Sequence, residues 1–119
     1  MFKIGDFSRI ARVPISVLRY YADIDLLEPA QTDATTSYRY YSFDQLPRLN
    51  RIMALKDLGL TLPQIKQWLD DSISLTELQA ILRLREAELE QEIADAHDRL
   101  NRVKGRLRLI HHEDTVYGD

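Results

Sequence analysis

The apolar residues Leu82, Leu89, Ile93, Ala96, Leu100, Val103, Leu107 and Ile110 follow one another by 7, 4, 3, 4, 3, 4 and 3 positions. Steps of three and four stay on one face of an α-helix, and together they make the a/d repeat of a coiled coil. The spacing predicts one long helix over 75–112. Glu86 interrupts the stripe, and Gly105 weakens the helix by up to about 1 kcal/mol relative to Ala. The stripe could pack on its own domain, but the helix extends well past the small head that precedes it. Nothing else in the chain is long enough to run along it. A homodimer is therefore expected, with Leu89, Ile93, Ala96, Leu100, Val103, Leu107 and Ile110 at an isologous interface.

The front of the chain is built from shorter pieces. "MFKI" is a brief apolar start, a strand or a helix lead-in. In "GDFSRIAR", Phe7, Ile10 and Ala11 keep helical spacing, and Asp6 suits the positive end of the helix dipole. Val13 precedes Pro14 and is biased away from the α region, which breaks the helix. A second helix starts with Pro14 in its first turn and carries Val17, Leu18, Tyr21 and Ile24. Two short helices joined by a tight turn are the outline of a helix-turn-helix.

After Pro29 the pattern changes. Thr36, Tyr38 and Tyr40 alternate with Ser37, Arg39 and Tyr41, which predicts a hairpin with its second strand at 37–41 and a turn near "TDATT". The turn lacks Asn-Gly or Asp-Gly, so its geometry is open. Three capping-box patterns follow, at Ser42–Gln45, Thr61–Gln64 and Ser74–Glu77, each announcing a helix. The first helix carries Leu46, Leu49, Ile52, Met53 and Leu58 and stops near Gly59. The second carries Ile65, Trp68 and Leu69, with Trp68 expected in the core. The fold class is mainly α.

Several chemistries are excluded or disfavoured. With no cysteine among 119 residues, disulfides, thiolate metal sites and cysteine nucleophiles are out. The three histidines are His97, His111 and His112, and no Ser/His/Asp set, Gly-rich phosphate loop or zinc-hydrolase helix appears. Adjacent residues on a helix point about 100° apart, so "HHED" at 111–114 reads as a solvated helix end. No enzyme, cofactor or metal is expected. The run "REAELEQEIADAHD" reads as the wet face of the long helix. No apolar run approaches the ~20 residues that span a bilayer, and the charged N-terminus has no signal core. A cytoplasmic protein without membrane contact is expected. The net charge is −3, but residues 1–56 balance at +2 and residues 57–119 at −5, so the front half permits nucleic-acid binding.

Arg-Tyr-Tyr occurs twice, in "LRYYAD" and "SYRYYSF". A tyrosine can pack its ring and still offer its hydroxyl to a phosphate, and arginine can grip phosphate with a fork or read a guanine edge. In the second helix, Ile15, Ser16, Arg19 and Tyr20 share an outward face while Val17, Leu18 and Tyr21 turn inward. That suits a recognition helix in the major groove. In the hairpin, Arg39 projects opposite Tyr38 and Tyr40, at what reads as an exposed wing tip. The competing reading makes the tyrosines core and the arginines surface solubilisers. Two such clusters flanking a helix-turn-helix, with a dimerising helix behind, weigh against it.

The runs "IGDFSRIARVPISVLRYYADIDLLEP" and "SYRYYSFDQLPRLNRIMALKDLGLTLPQIKQWL", followed by the heptad helix, resemble the MerR family of bacterial transcription regulators over nearly the whole chain. The resemblance implies a winged helix-turn-helix head at 1–73, an antiparallel coiled-coil dimerisation helix at 74–112, and at 113–119 a tail or linker to a missing effector domain. It implies a homodimer on double-stranded promoter DNA with an overlong −35/−10 spacer, distorted when effector is bound and so realigned for RNA polymerase. By position, Ser16, Arg19, Tyr20 and Tyr21 lie on or beside the DNA-facing helix, Tyr38, Arg39 and Tyr40 on the wing, and Lys56 matches a phosphate-contacting lysine. The "IDL" and "SYRYY" variants look like the multidrug-responsive branch, whose small-molecule effector would be bound by a domain absent from this chain. Pro14 stands where the family usually has a capping Ser or Thr, Ala22 replaces a common acid, and Asp25 and Ser37 stand where Gly is common. A DNA-architectural or recombination-accessory protein, or a coiled-coil adaptor, are the alternatives.

Overall fold

The computed structural model describes residues 1–117, with side chains through residue 113. Most of the expected 113–119 tail lies outside the described side chains. The elements run β1 (Phe2–Lys3), α1 (Ile4–Ala11), α2 (Ile15–Asp23), β2 (Gln31–Thr32), β3 (Arg39–Tyr41), α3 (Leu46–Asp57), α4 (Leu62–Leu69) and α5 (Leu75–Tyr117). The chain divides into two compact units, one of Met1–Leu78 and one from Gln79 onward.

In the first unit, α1 ends at Arg12, whose left-handed φ of 58° turns the chain back. The Val13 amide then donates to the Ser8 carbonyl at 3.1 Å. Pro14 occupies the cap of α2 rather than its first turn. It has no hydroxyl to give, and its carbonyl alone accepts from Val17 and Leu18 at 3.0 and 3.1 Å. Hence α2 starts on a rigid φ of −57° without a side-chain cap.

The expected hairpin is the larger part of a three-stranded antiparallel sheet of order β1-β3-β2. "MFKI" supplies the third strand, pairing Phe2 with Tyr41 and Lys3 with Tyr40. On the other edge Gln31 pairs with Tyr40 and Thr32 with Arg39. The turn between β2 and β3 is held by Asp33, whose carboxylate accepts from the Thr35 and Thr36 amides at 2.8 and 2.9 Å. Those two backbone bonds, Thr36 first, pull its carboxyl below the usual aspartate range. This Asx turn takes the place of an Asn-Gly turn.

All three capping boxes form. The Gln45, Gln64 and Glu77 side chains accept from the Ser42, Thr61 and Ser74 amides at 2.9, 2.9 and 3.5 Å. In return Ser42, Thr61 and Ser74 hydroxyls accept from Asp44, Gln64 and Glu77 amides at 3.2, 3.2 and 3.1 Å. The core joins Phe7 of α1, Leu18 and Tyr21 of α2, Tyr41 of β3, Leu49 and Ile52 of α3, Ile65 of α4 and Leu78 of α5, with Val13, Leu26, Leu27 and Leu60 from the connections. Trp68, expected in the core, is only half-buried.

The second unit takes in helix α5 from Gln79 onward. The helix is longer than the spacing predicted, reaching Tyr117 rather than 112. Among its described residues, Leu89, Ile93, Ala96, Leu100, Val103, Leu107 and Ile110 are all exposed in the single chain. No helix among the described residues is long and apolar enough to cross a membrane.

Candidate nucleic-acid interface

A groove of about 430 Å³ runs between the start of α1, helix α2 and the wing, lined by Lys3, Ile4, Gly5, Asp6, Arg9, Arg19, Tyr38 and Arg39. Adjoining it, a hollow of about 260 Å³ adds Asp23 and Ser37. Arg19 of the helix, Tyr38 and Arg39 of the wing thus meet at one surface. Lys3 and Arg9 join them, and reasoning from sequence did not single those two out. The available signal was slight: Lys3 sits in a strand start and pairs across to Tyr40, and Arg9 lies one turn from Asp6.

Helix periodicity puts Ser16, Arg19 and Tyr20 on one exposed face of α2. Tyr20 is about half exposed, so its hydroxyl is available to a ligand. Tyr38 is equally exposed, and the Lys3 ammonium stands 5.3 Å from its ring centroid. Tyr40 is half-buried in the central strand, where its main chain pairs on both sides.

Two expectations need correction. Tyr21, placed among the DNA contacts, has no exposed surface. Its ring is core, and its hydroxyl donates to the Met53 sulfur at 3.8 Å and accepts from Lys56 Nζ at 3.5 Å. A ring without accessible surface is not presented to a ligand; it anchors α2 in the core of the head. Nor is Arg39 an exposed tip. Its side chain is 35% exposed, one guanidinium nitrogen is buried without a partner among the described residues, and the other stands 3.9 Å from Asp23. Arg39 shares the inner face of β3 with Tyr41, because every second side chain points the same way, and that face packs on the head.

The cations of the groove are partly countered. Arg9 pairs with Asp6, and Arg39 leans towards Asp23. Lys56 is not among the residues lining the groove, and it enters none of the ion pairs among the described residues. Away from the groove, Arg48 ties α3 to the segment after α2, donating to the Leu26 carbonyl at 2.9 Å and to Asp70 at 3.0 Å.

A helix-turn-helix with a basic groove against a wing is a frame many proteins share, so the residues must decide the family. Residues 2–72 match the model for the MerR HTH family regulatory protein, and residues 46–105 the model for MerR, DNA binding. The chain belongs to the MerR family. It is 38% identical over 109 residues to the multidrug-efflux transporter 1 regulator of Bacillus subtilis, an alignment covering 92% of this chain and 37% of that protein. Among solved structures it resembles the EcmrR–DNA complex in EcmrR-RPo, with a TM-score of 0.79 and 35% identity over 95% of this chain and 40% of that one. It also resembles MtaN, the N-terminus of the Bacillus subtilis multidrug transporter activator, with a TM-score of 0.72 and 26% identity over 90% of this chain and 98% of that one. The chain thus spans well under half the length of two of these three relatives.

Membership explains two sequence oddities. Asp25 and Ser37, standing where MerR proteins commonly have glycine, both adopt left-handed backbone, with φ of 59° and 62°. Asp25 turns the chain out of α2, and Ser37 turns it into β3 beside the groove. The backbone keeps the conformation that glycine favours, and the side chains bear the strain.

Proposed function

We infer that this chain is the DNA-binding and dimerising part of a transcription regulator. It acts as a homodimer on double-stranded promoter DNA with a long −35/−10 spacer and distorts that DNA when effector is bound, presenting it to RNA polymerase. Residues 1–73 form the reading head and 74–112 the dimerisation helix, an antiparallel coiled coil in the dimer. Residues 113–119 lead on to a part that takes the small-molecule effector. The setting is the cytoplasm.

The observation that carries this reading is the convergence of Arg19, Tyr38 and Arg39 on one groove, with Lys3 and Arg9 on its rim. A recognition helix enters the major groove while a wing arginine meets the backbone or minor groove. The exposed stripe on α5 supports the dimer, because two heads on one scaffold match two half-sites. The similarity to a multidrug-efflux regulator and to a multidrug transporter activator supports the effector class.

Footprinting on the DNA upstream of the protein's own gene tests the reading. Protection over two half-sites, weakening steeply with added salt and abolished in Arg19→Ala, is the expected result. Absence of protection at low salt would refute it.

A further inference from the structure

The charges of α5 are divided between its halves. Residues 86–98 hold Glu86, Glu88, Glu90, Glu92, Asp95 and Asp98 and no Lys or Arg. Residues 99–112 hold Arg99, Arg102, Lys104, Arg106 and Arg108 and no acid. Within a single helix this division is unfavourable. It sets like charges four positions apart, at Glu86 and Glu90, Glu88 and Glu92, Arg102 and Arg106, and Lys104 and Arg108, where side chains are neighbours and repel. The helix dipole does not account for it. That effect fades within the first and last turns, and residue 86 lies about three turns inside α5. Glu92 has Arg85 3.6 Å away. Glu90, Lys104 and Arg106 are exposed and enter none of the ion pairs among the described residues. Along the stripe, Ile93, Leu100 and Leu107 take one core position of the heptad and Leu89, Ala96, Val103 and Ile110 the other. Glu90, His97 and Lys104 therefore flank the seam on one side, and Glu92, Arg99 and Arg106 on the other.

We propose that this charge division makes α5 choose its partner: a second copy of this chain, antiparallel and in one register. The proposal rests on the dimer reading above and adds what fixes its register and excludes other helices. With the two-fold axis level with residue 98, Leu89 meets the partner's Leu107, Ile93 the partner's Val103, and the short Ala96 the partner's Leu100. Glu86, which interrupts the stripe, falls at the outer end against the partner's Ile110. In an antiparallel pair each flank faces the same flank of the other helix. Glu90 thus meets the partner's Lys104 and Glu92 the partner's Arg106, and symmetry repeats both pairings. Between these, His97 and Arg99 face their own copies at the axis. Sliding the pair by one heptad sets the partner's Arg106 against Arg99 in one direction and against Arg85 in the other. A parallel pair sets Arg99 against the partner's Lys104. The apolar stripe packs in any of these arrangements, but each alternative brings like charges together, as does a helix with the opposite division. Such clashes are what reject wrong partners.

The test follows association of the full chain by analytical ultracentrifugation at low salt. Glu90→Lys with Glu92→Lys should weaken self-association about tenfold or more, and so should Lys104→Glu with Arg106→Glu. Mixing these two variants should restore the dimer, because every flanking pair is then opposite in sign. Both losses should shrink in about 1 M salt, where the screening length falls to ~3 Å. The chain carrying all four changes should pair with itself and not exchange with the native chain; should a two-residue variant not fold, this chain decides. Direction is read by crosslinking, since the chain has no cysteine of its own. Glu90→Cys and Lys104→Cys should link to each other through a short bis-maleimide when mixed, and neither to itself. Self-linking of Glu90→Cys would overturn the register. If Leu100→Asp gives monomers while the charge variants associate like the native chain, the seam stands and this proposal falls. A mixture that stays monomeric, or free exchange of the four-residue variant with the native chain, overturns it too. If the native chain itself does not associate, the dimer reading falls with it.

Discussion

The ring of Tyr41 lies flat against that of Phe7, centroids 4.8 Å apart and planes 11° from parallel. This stack joins the central strand of the wing to the first helix, and both residues are fully buried. It explains how so small a sheet is fixed to the head: one aromatic pair deep in the core anchors three short strands.

Tyr41→Ala should cost about 3–5 kcal/mol, a large share of the roughly 5–15 kcal/mol that holds a domain together. Tyr41→Phe should behave oppositely. The buried hydroxyl has no hydrogen-bond partner among the described residues, so removing it should leave stability unchanged or raise it by up to about 1 kcal/mol. Burial also pushes the Tyr41 hydroxyl above its ordinary pKa, against the opposing charge of Arg39. The unfolded chain ionises near the ordinary value of about 10. Stability is therefore full below that pH and falls as pH rises from there towards the higher folded value. Denaturant titrations at neutral and alkaline pH should show this decline in the native protein and a smaller one in Tyr41→Phe.

Asp70 should govern the acid side. Its carboxyl is held below the usual range, first by the hydrogen bond from Arg48 and then by Lys66, which stands 3.4 Å away. Stability from these partners is present above about 3.9, the ordinary aspartate value, and lost as pH falls through the lower folded value. Because all three side chains are about a third exposed or more, Asp70→Asn should cost only about 0.5 kcal/mol at neutral pH, less in high salt. A thermal melt series in salt reads the difference.

Ser37→Gly and Asp25→Gly should each stabilise the head by up to about 1 kcal/mol, relieving left-handed strain against a smaller entropic cost in the unfolded chain. The gain should be larger at Ser37, because aspartate tolerates this conformation better than serine. Equal or inverted effects in equilibrium unfolding would count against the strain argument.

Arg39→Ala should weaken binding to duplex DNA and flatten its salt dependence, while costing up to about 1 kcal/mol of stability from the buried part of its side chain. Tyr20→Phe should weaken binding without touching stability, since its hydroxyl is exposed. Paired affinity and melting measurements separate the two roles.

Leu100→Asp should give monomers by light scattering, because it sets a charge in the middle of the α5 stripe, where Leu100 is 47% exposed in the single chain. A dimer of unchanged stability would show that the stripe is not the seam.

What the sequence alone determined was local. The long helix, the three capping boxes, the break at Val13-Pro14 and the turn between the strands all follow from residues within about one heptad of each other, where spacing and side-chain chemistry act directly. The likeness to MerR proteins rested on the same short-range runs, and it reached Arg19, Tyr38 and Arg39 as members of a site. Only tertiary structure decided what each of them does. Both Arg-Tyr-Tyr copies bury their last ring, Tyr21 and Tyr41, though one lies on a helix and the other on a strand. Pairing of Phe2 with Tyr41 makes β1 a strand, whereas "MFKI" by itself reads equally as a strand or a helix lead-in. Lys3 and Arg9 entered the groove, Arg39 turned inward and Lys56 met Tyr21 through contacts between distant segments. Such contacts depend on how helices and strands pack around a shared core, and no window of neighbouring residues encodes that.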